Sequence, residues 1–380
     1  MADFQEIAHS GGKVTFTLAN TDHGRTFQVG ISQNRPVPFA VFGLYAIAPG
    51  IPVGFWSVGM ESESSPVPGA FPVLIASDSE QFFGHNCPKC KYYWRSGPFP
   101  TICPGCGLHG PSYEFLSDAQ QLYVEYYIFQ LTNALADPSI SEHVIDMDMV
   151  ADAASQEGPK PSFYISEQSQ QYRFSCVACG EKHDIIGRFG YCSVCGTRRD
   201  VWELTDQIIP AIRSKLKDGG SAEDSVRDAI AAFDSVVSQY AKQMVLLIPM
   251  LPFRKDKLTK RFHNAEDVAT MFELFFGIDI FNGIKQAERT LVTRSFFRRH
   301  VYEHNGGIVD QVYLDKSGDK DSRLNAQLRE NTDDVHELLG AIAKMVQNLH
   351  SGFHQIFSPE AAPIDRYSRR RKSATSIGSH

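Results

Sequence analysis

Eight cysteines fall into two groups of one spacing. Cys87, Cys90, Cys103 and Cys106 form C-x2-C-x12-C-x2-C, and Cys176, Cys179, Cys192 and Cys195 repeat it 89 residues later. Two thiolates three positions apart can reach one ion from a single turn, and a second such pair completes a tetrahedron. Gly107, Gly180 and Gly196 follow knuckle cysteines, where the backbone must turn tightly and aim amides at sulfur. No cysteine is left over for a disulfide elsewhere. Four thiolates fill the coordination sphere and leave no position for water, so each site reads as structural. Zinc is the ion expected, two per chain, with iron in a four-sulfur site as the alternative. A second string with chemical capacity is Arg298-Arg299-His300-Val301-Tyr302-Glu303-His304-Asn305-Gly306-Gly307. Histidine titrates near neutrality and can give or take a proton. Arginine stays charged and holds phosphate oxygens in a fork. His300 and His304 are four apart and share a helix face, as do Arg299 and Glu303, which could simply form a surface ion pair. Arg299 and His304 lie about 140° apart around an ideal helix. Their cooperation needs a long side chain, a distorted helix end or a second copy of the chain.

The cysteine pattern resembles that of zinc ribbons, over these two short segments only. The second string resembles the R-x4-6-H motif of HEPN domains, a family of small helical bundles. His300 directly after the arginine, Asn305-Gly306 after the histidine, the stretch Asp310 to Leu314 and a long last helix extend the likeness over residues 204 to 357. That resemblance implies a metal-independent endoribonuclease acting as a homodimer through its bundle, each protomer bringing its motif to the two-fold axis. Arg299 would hold the scissile phosphate, His304 would transfer a proton, and His300 would be the accessory polar residue. The residue types suit the task. Cleaving RNA through its own 2′-OH needs a proton acceptor, a proton donor for the leaving oxygen, and positive charge on the phosphate. Such an activity is toxic when unrestrained, so a toxin or defence effector is the expected setting.

The elements that must position these residues are of two kinds. From 13 to 79, runs such as Val14 to Leu18, Thr26 to Ile31, Phe39 to Ile47 and Val73 to Ala76 are broken by Gly, Pro, Asn and Asp, as in β-structure, with a hairpin at Asn20 to Gly24. A helix is expected over Asp118 to Leu135, and a partly linker-like stretch over Ser139 to Gln171. Beyond 204 the apolar period becomes helical. Leu204 to Lys217 starts at a Thr205 or Asp206 cap and stops at Gly219-Gly220. Val226 to Tyr240 carry one stripe, Val268 to Phe275 another, residues 280 to 304 a fourth helix, and Val335 to Phe353 a long last one. The expected fold is an α+β multidomain chain. It has a β-rich N-terminal domain (1–84), a first ribbon (85–110), a helix and linker (111–170), a second ribbon (171–200), an all-α HEPN-like bundle (201–357) and a basic disordered tail (358–380).

Composition limits the partners. A net charge of -7 means that polyanion contact must come from local patches. Candidates are Lys89, Lys91, Trp94 and Arg95 on the first ribbon, Arg188, Arg198 and Arg199 on the second, and the segment Arg254, Lys255, Lys257, Lys260, Arg261 and His263. No apolar run reaches the length of a membrane span, and Met1 to Gly12 lacks a signal-peptide core, so a cytoplasmic protein is expected. Expected partners are RNA, a second copy and a protein regulator. The alternative reading is a non-catalytic RNA- or protein-binding zinc-ribbon adaptor.

Overall fold

The computed structural model describes residues 4–22, 24–33, 40–56, 67–157, 171–259, 262 and 264–377. The chain divides into two units. One comprises Met1–Gly187, Cys192–Cys195 and Ala361–His380, the other Arg188–Tyr191 and Gly196–Glu360.

The first unit is β-rich, with helices. Strands β1 (Gly12–Thr21) and β2 (Gly24–Gln33) form the expected hairpin, whose His23 lies outside the described residues. β3 (Val41–Ile47) runs between β4 (Ile51–Trp56) and β5 (Phe71–Ala76) in a second antiparallel sheet. Phe39, placed on this run in the sequence, also lies outside the described residues. β6 (Phe83–Asn86) and β7 (Tyr93–Ser96) belong to the first cysteine segment. Helix α1 (Asp118–Ala136) opens on a Ser117–Gln120 capping box, which fixes its start where the sequence placed it. β8 (Glu142–Asp146) adds to β1, and α2 (Met147–Glu157) follows at once. The described part of the expected linker is therefore strand and helix. Along β1 the period of two is clean: Val14, Phe16 and Leu18 are buried, Lys13 and Thr17 exposed. They meet Leu44, Val73, Ile75, Tyr127, Ile128 and Leu131 in one apolar core.

β9 (Gln171–Ser175) and β10 (Lys182–Ile186) complete the unit's third sheet, in the order β6-β7-β10-β9. The cysteine segments, separate in sequence, thus share one antiparallel sheet, with Asp184 opposite Arg95.

The second unit is helical. α3 (Asp200–Trp202) runs through a π-helical stretch, Glu203–Ile208, into α4 (Ile209–Lys217), so this helix begins before the expected Thr205 or Asp206 cap. Thr205 Oγ1 instead donates to the Asp206 carboxylate, leaving neither as the helix start. α5 (Ala222–Leu247) is capped by Ser221. α6 (Pro252–Thr259) takes up part of the basic segment read as a loop. α7 (Ala265–Phe276) ends at Gly277, whose φ of 69° is the left-handed stop. α8 (Gln286–His304) starts later than the expected 280, because Gly283 at φ 65° turns the chain before the Lys285 cap. α9 (Gln311–Ser317) and α10 (Thr332–Ile356) complete the unit. The expected stripe is the core: Ile230, Phe233, Val237 and Tyr240 of α5 are buried, as are Leu338, Ile342, Met345, Leu349 and Phe353 of α10 and Val292 and Phe296 of α8.

The tail corrects an expectation. Residues 361–377 form α11 (Ala361–Ile377), counted with the first unit, rather than disorder. Ile364 packs against Cys176, Cys192 and Cys195, and the Tyr367 ring lies where a Cβ on Gly180 would sit. Composition hid this, because Arg, Lys and Ala are good helix formers whatever their polarity. Among the described residues, no helix is long and apolar enough to cross a membrane.

Candidate functional site

Each cysteine pair sits on a tight turn of one design. In the first, the Cys87 N–H donates to Tyr92 O at 2.9 Å and the Lys91 N–H returns to Cys87 O at 2.9 Å. The second repeats this with Cys103, Leu108 and Gly107, and the third with Cys176, Glu181 and Gly180. The residue after the second cysteine is left-handed in all four turns: φ is 60° at Lys91, 69° at Gly107, 75° at Gly180 and 73° at Gly196. Three of these are the glycines that the sequence singled out, and the fourth is a lysine.

The four sulfurs of each group lie within 4.8 Å of one another. Cys87–Cys106, Cys90–Cys103 and Cys176–Cys195 are 3.7 Å apart and Cys179–Cys192 3.4 Å. A tetrahedral ion at about 2.3 Å from each sulfur needs sulfurs about 3.8 Å apart. The spacing therefore fits a metal ion and is far too long for a disulfide. Except for Cys90, which is exposed, and Cys179, which is half-buried, the ligand side chains are buried.

A polar seam that sequence reasoning missed joins the two sites. Arg95, 2% exposed, donates to Asp78 at 2.8 Å and is also held by Asp184 and Glu80, while Arg173 Nε reaches Asp184 at 2.9 Å. His183 Nδ1 lies 3.1 Å from Glu181 O, and its Nε2 accepts the Ser193 N–H at 2.9 Å, which assigns the proton to Nδ1. Ser193 lies inside the last cysteine turn. Its carbonyl accepts from the Thr101 and Ile102 amides, at 2.8 and 3.0 Å, just before Cys103 of the other group. Buried arginines and histidines a few residues from metal ligands could have signalled such a seam, but their partners are distant in sequence.

The seam overturns part of the expected nucleic-acid surface. Trp94 and Arg95 are interior, at 0% and 2% exposure. In the helical unit Arg198 is equally buried. It makes a two-point contact with Asp200, at 2.8 and 2.6 Å, and its guanidinium lies over the Tyr191 and Tyr240 rings. Arg199 pairs with Glu203 at 2.9 Å. These arginines hold the fold, and only Lys89, Lys91 and Arg188 of that set stay exposed. On α6, Arg254 and Lys257 are exposed and Lys255 partly so, while Lys260, Arg261 and His263 lie outside the described residues.

The last turn of α8 carries the other candidate. Gly306 and Gly307, at φ 58° and 83°, reverse the chain after the Asn305 cap. The adjacent arginines then diverge. Arg298 turns inward to Asp319, Glu330 and the Tyr313 hydroxyl, at 3.0, 3.0 and 3.1 Å. Arg299, 19% exposed, donates from Nε to Glu303 at 2.9 Å, and its Nη1 lies 3.7 Å from Asp234 on α5. His300 and His304 are exposed, with ring centroids 4.5 Å apart. The structure thus brings the two imidazoles together. Among the described residues, no hydrogen bond or ion pair joins Arg299 to either of them. Asp234 had no sequence signal, being one acid on an amphipathic helix. Burial pushes its carboxyl up to about 7, against the pull of Arg299 and with a push from Glu303. An exposed imidazole pair and a guanidinium can move protons and hold an anion. No family model matches the chain, and neither does any curated protein or solved structure.

Proposed function

We propose that the helical unit is a HEPN-type endoribonuclease that needs no metal for its chemistry, a toxin or defence effector, and that the cysteine groups hold two structural zinc ions. The observation that carries the reading is the exposed His300–His304 pair, 4.5 Å apart, on the helix turn that also bears Arg299. One imidazole takes the proton of the RNA 2′-OH as that oxygen bonds to phosphorus. The other gives a proton to the 5′ oxygen as its bond to phosphorus breaks. Arg299 carries the phosphate charge. The products are a 2′,3′-cyclic phosphate and a 5′-hydroxyl. The reading calls for a homodimer through the bundle, because Arg299 does not meet either imidazole of its own chain and a second copy can supply the missing pairing. Zinc, when bound, ties four thiolates into a closed centre and supplies folding free energy.

A second reading is a non-catalytic RNA- or protein-binding adaptor. The Arg299–Glu303 pair at 2.9 Å favours it, since it is the ordinary i, i+4 surface bridge. The test is a panel of structured and unstructured RNAs incubated with folded protein after a brief EDTA treatment. Cleavage is expected, and His304→Ala is expected to slow it by about a hundredfold or more. If no RNA is cut, or if His304→Ala cuts as well as the parent, the adaptor reading replaces the nuclease. Light scattering checks the dimer, and a strict monomer at micromolar concentration would count against it.

A further inference from the structure

Asp234 is expensive for the fold and has no structural return. Its side chain is 19% exposed, and Oδ1 is buried with no hydrogen-bond partner among the described residues. Its Oδ2 stands 3.7 Å from Arg299 Nη1, too far for a hydrogen bond and near enough for a charge to be felt. The charged side chains facing it, Arg299 and Glu303, both belong to α8. Glu303 occupies the Nε edge of the same guanidinium at 2.9 Å. Arg299 thus has an acid at two of its three nitrogens, and each of its two-point edges includes at least one of them.

We propose that Asp234, with Glu303, is a positioning residue that clasps Arg299 and competes with an RNA phosphate for its guanidinium. The proposal rests on the ribonuclease reading of this corner. A phosphodiester brings one negative charge to a cation already facing two carboxylates, so it must displace them or meet their repulsion. Burial pushes the Asp234 carboxyl up to about 7, which makes the clasp pH-dependent. Its protonation leaves Glu303 as the only ionised acid on Arg299 and opens the Nη edge to phosphate.

The test uses the full chain and a fluorescent 2′-O-methyl oligoribonucleotide, which lacks the attacking hydroxyl and reports binding alone. By anisotropy at pH 8, Asp234→Asn is expected to bind about tenfold tighter than the parent. The ratio should shrink toward pH 6. Glu303→Gln, on the more exposed side, should tighten binding less and at both pH values. In cleavage assays Asp234→Asn should lower KM without lowering kcat. Equal or weaker binding by Asp234→Asn, or no binding by either protein, overturns the clasp. The two failures can be told apart. Cleavage by the parent with no tightening in the variant removes the clasp and leaves the nuclease. Tightening with no cleavage by any protein removes the nuclease and leaves Arg299 as a clasped anion site.

Discussion

Two arginines, one in each unit, sit between acids and do opposite things. Arg95 is 2% exposed, and its partners Asp78 and Asp184 are fully buried, with contacts of hydrogen-bond length. Arg299 is 19% exposed, touches one acid on its own helix and stands 3.7 Å from another. The first arrangement is closed, and every approach to the guanidinium is filled by protein. The second is loose, and beside it lie two exposed imidazoles. Residue type does not separate a pin from a hand. What separates them is whether the surrounding elements leave room for an incoming anion.

The comparison breaks most sharply at the cysteine sites, where the proposed zinc ions would supply the closure. Cys195→Ser is expected to remove the ion of its own group, and metal content should fall from about two ions per chain to about one or less. A structural zinc site is worth on the order of 10 kcal/mol of folding free energy, so the variant should lose its cooperative thermal transition in the β-rich unit. The Ser193 carbonyl ties this turn to the segment entering Cys103, so the remaining ion should also leave faster to a chelator. Metal analysis and chelator kinetics check both expectations. Unchanged retention of the first ion would mean that the seam does not couple the sites.

The next test compares neighbours. Arg298 is a pin like Arg95, with Asp319 and Glu330 almost fully buried against it. Burial alone would push the Asp319 carboxyl up; hydrogen bonds from Tyr313, Arg298 and Ser322 outweigh it and hold the carboxyl well below the usual range. Arg298→Ala strands those acids and should cost about 3–5 kcal/mol. Arg299→Ala should cost less than about 1 kcal/mol, as for a partly exposed pair. Denaturant titration of both variants decides, and equal losses would erase the distinction between pin and hand.

How much of this was legible depends on the distance over which a signal acts. The cysteine groups were plain because ligand spacing is local: three positions within a turn and a fixed gap between turns. The α5 and α10 stripes were plain because helical period is local too. The shared four-stranded sheet was not, since Asp184 and Arg95 meet through strands that look too short and polar to notice. Trp94 and Arg95 were misread as surface for the same reason: a basic residue beside an aromatic looks like a nucleic-acid contact until its buried acids are known. At the α8 corner the motif residues were named from sequence, but Asp234 could not be. Nothing in α5 marks one acid as the one that will face Arg299.

Asp234 offers a third, pH-resolved test of the loose site. Its folded value, about 7, lies above the ordinary aspartate value of 3.8, so between those limits the folded state binds more protons than the unfolded state. Stability therefore falls as pH rises from about 4 to about 7, and remains reduced above that. Asp234→Asn removes the titration. Its melting temperature should exceed the parent's by most above pH 7.5, corresponding to roughly 2–4 kcal/mol, and the gap should close toward pH 4. A gap that does not vary with pH would show that this carboxyl does not titrate in the folded range.

The smallest expected effect belongs to the closed region. Four equivalent turns place a residue in left-handed backbone after the second cysteine, and three use glycine. Lys91 alone carries a side chain there, at φ 60°. A non-glycine residue in that region costs roughly 1–2 kcal/mol, because its Cβ crowds the following carbonyl oxygen. Glycine removes that strain but widens the unfolded ensemble, which returns part of the gain. Lys91 is exposed, and its backbone N–H closes the turn to Cys87 O at 2.9 Å, a bond that glycine keeps. Lys91→Gly should therefore stabilise the first site by about 0.5–1 kcal/mol and slow metal loss to a chelator at the Cys87 group. The matching change, Gly107→Lys, should do the reverse by a similar amount. If Lys91→Gly instead destabilises the site, the lysine side chain has a role in the turn that its exposure does not reveal, and the four turns are not equivalent.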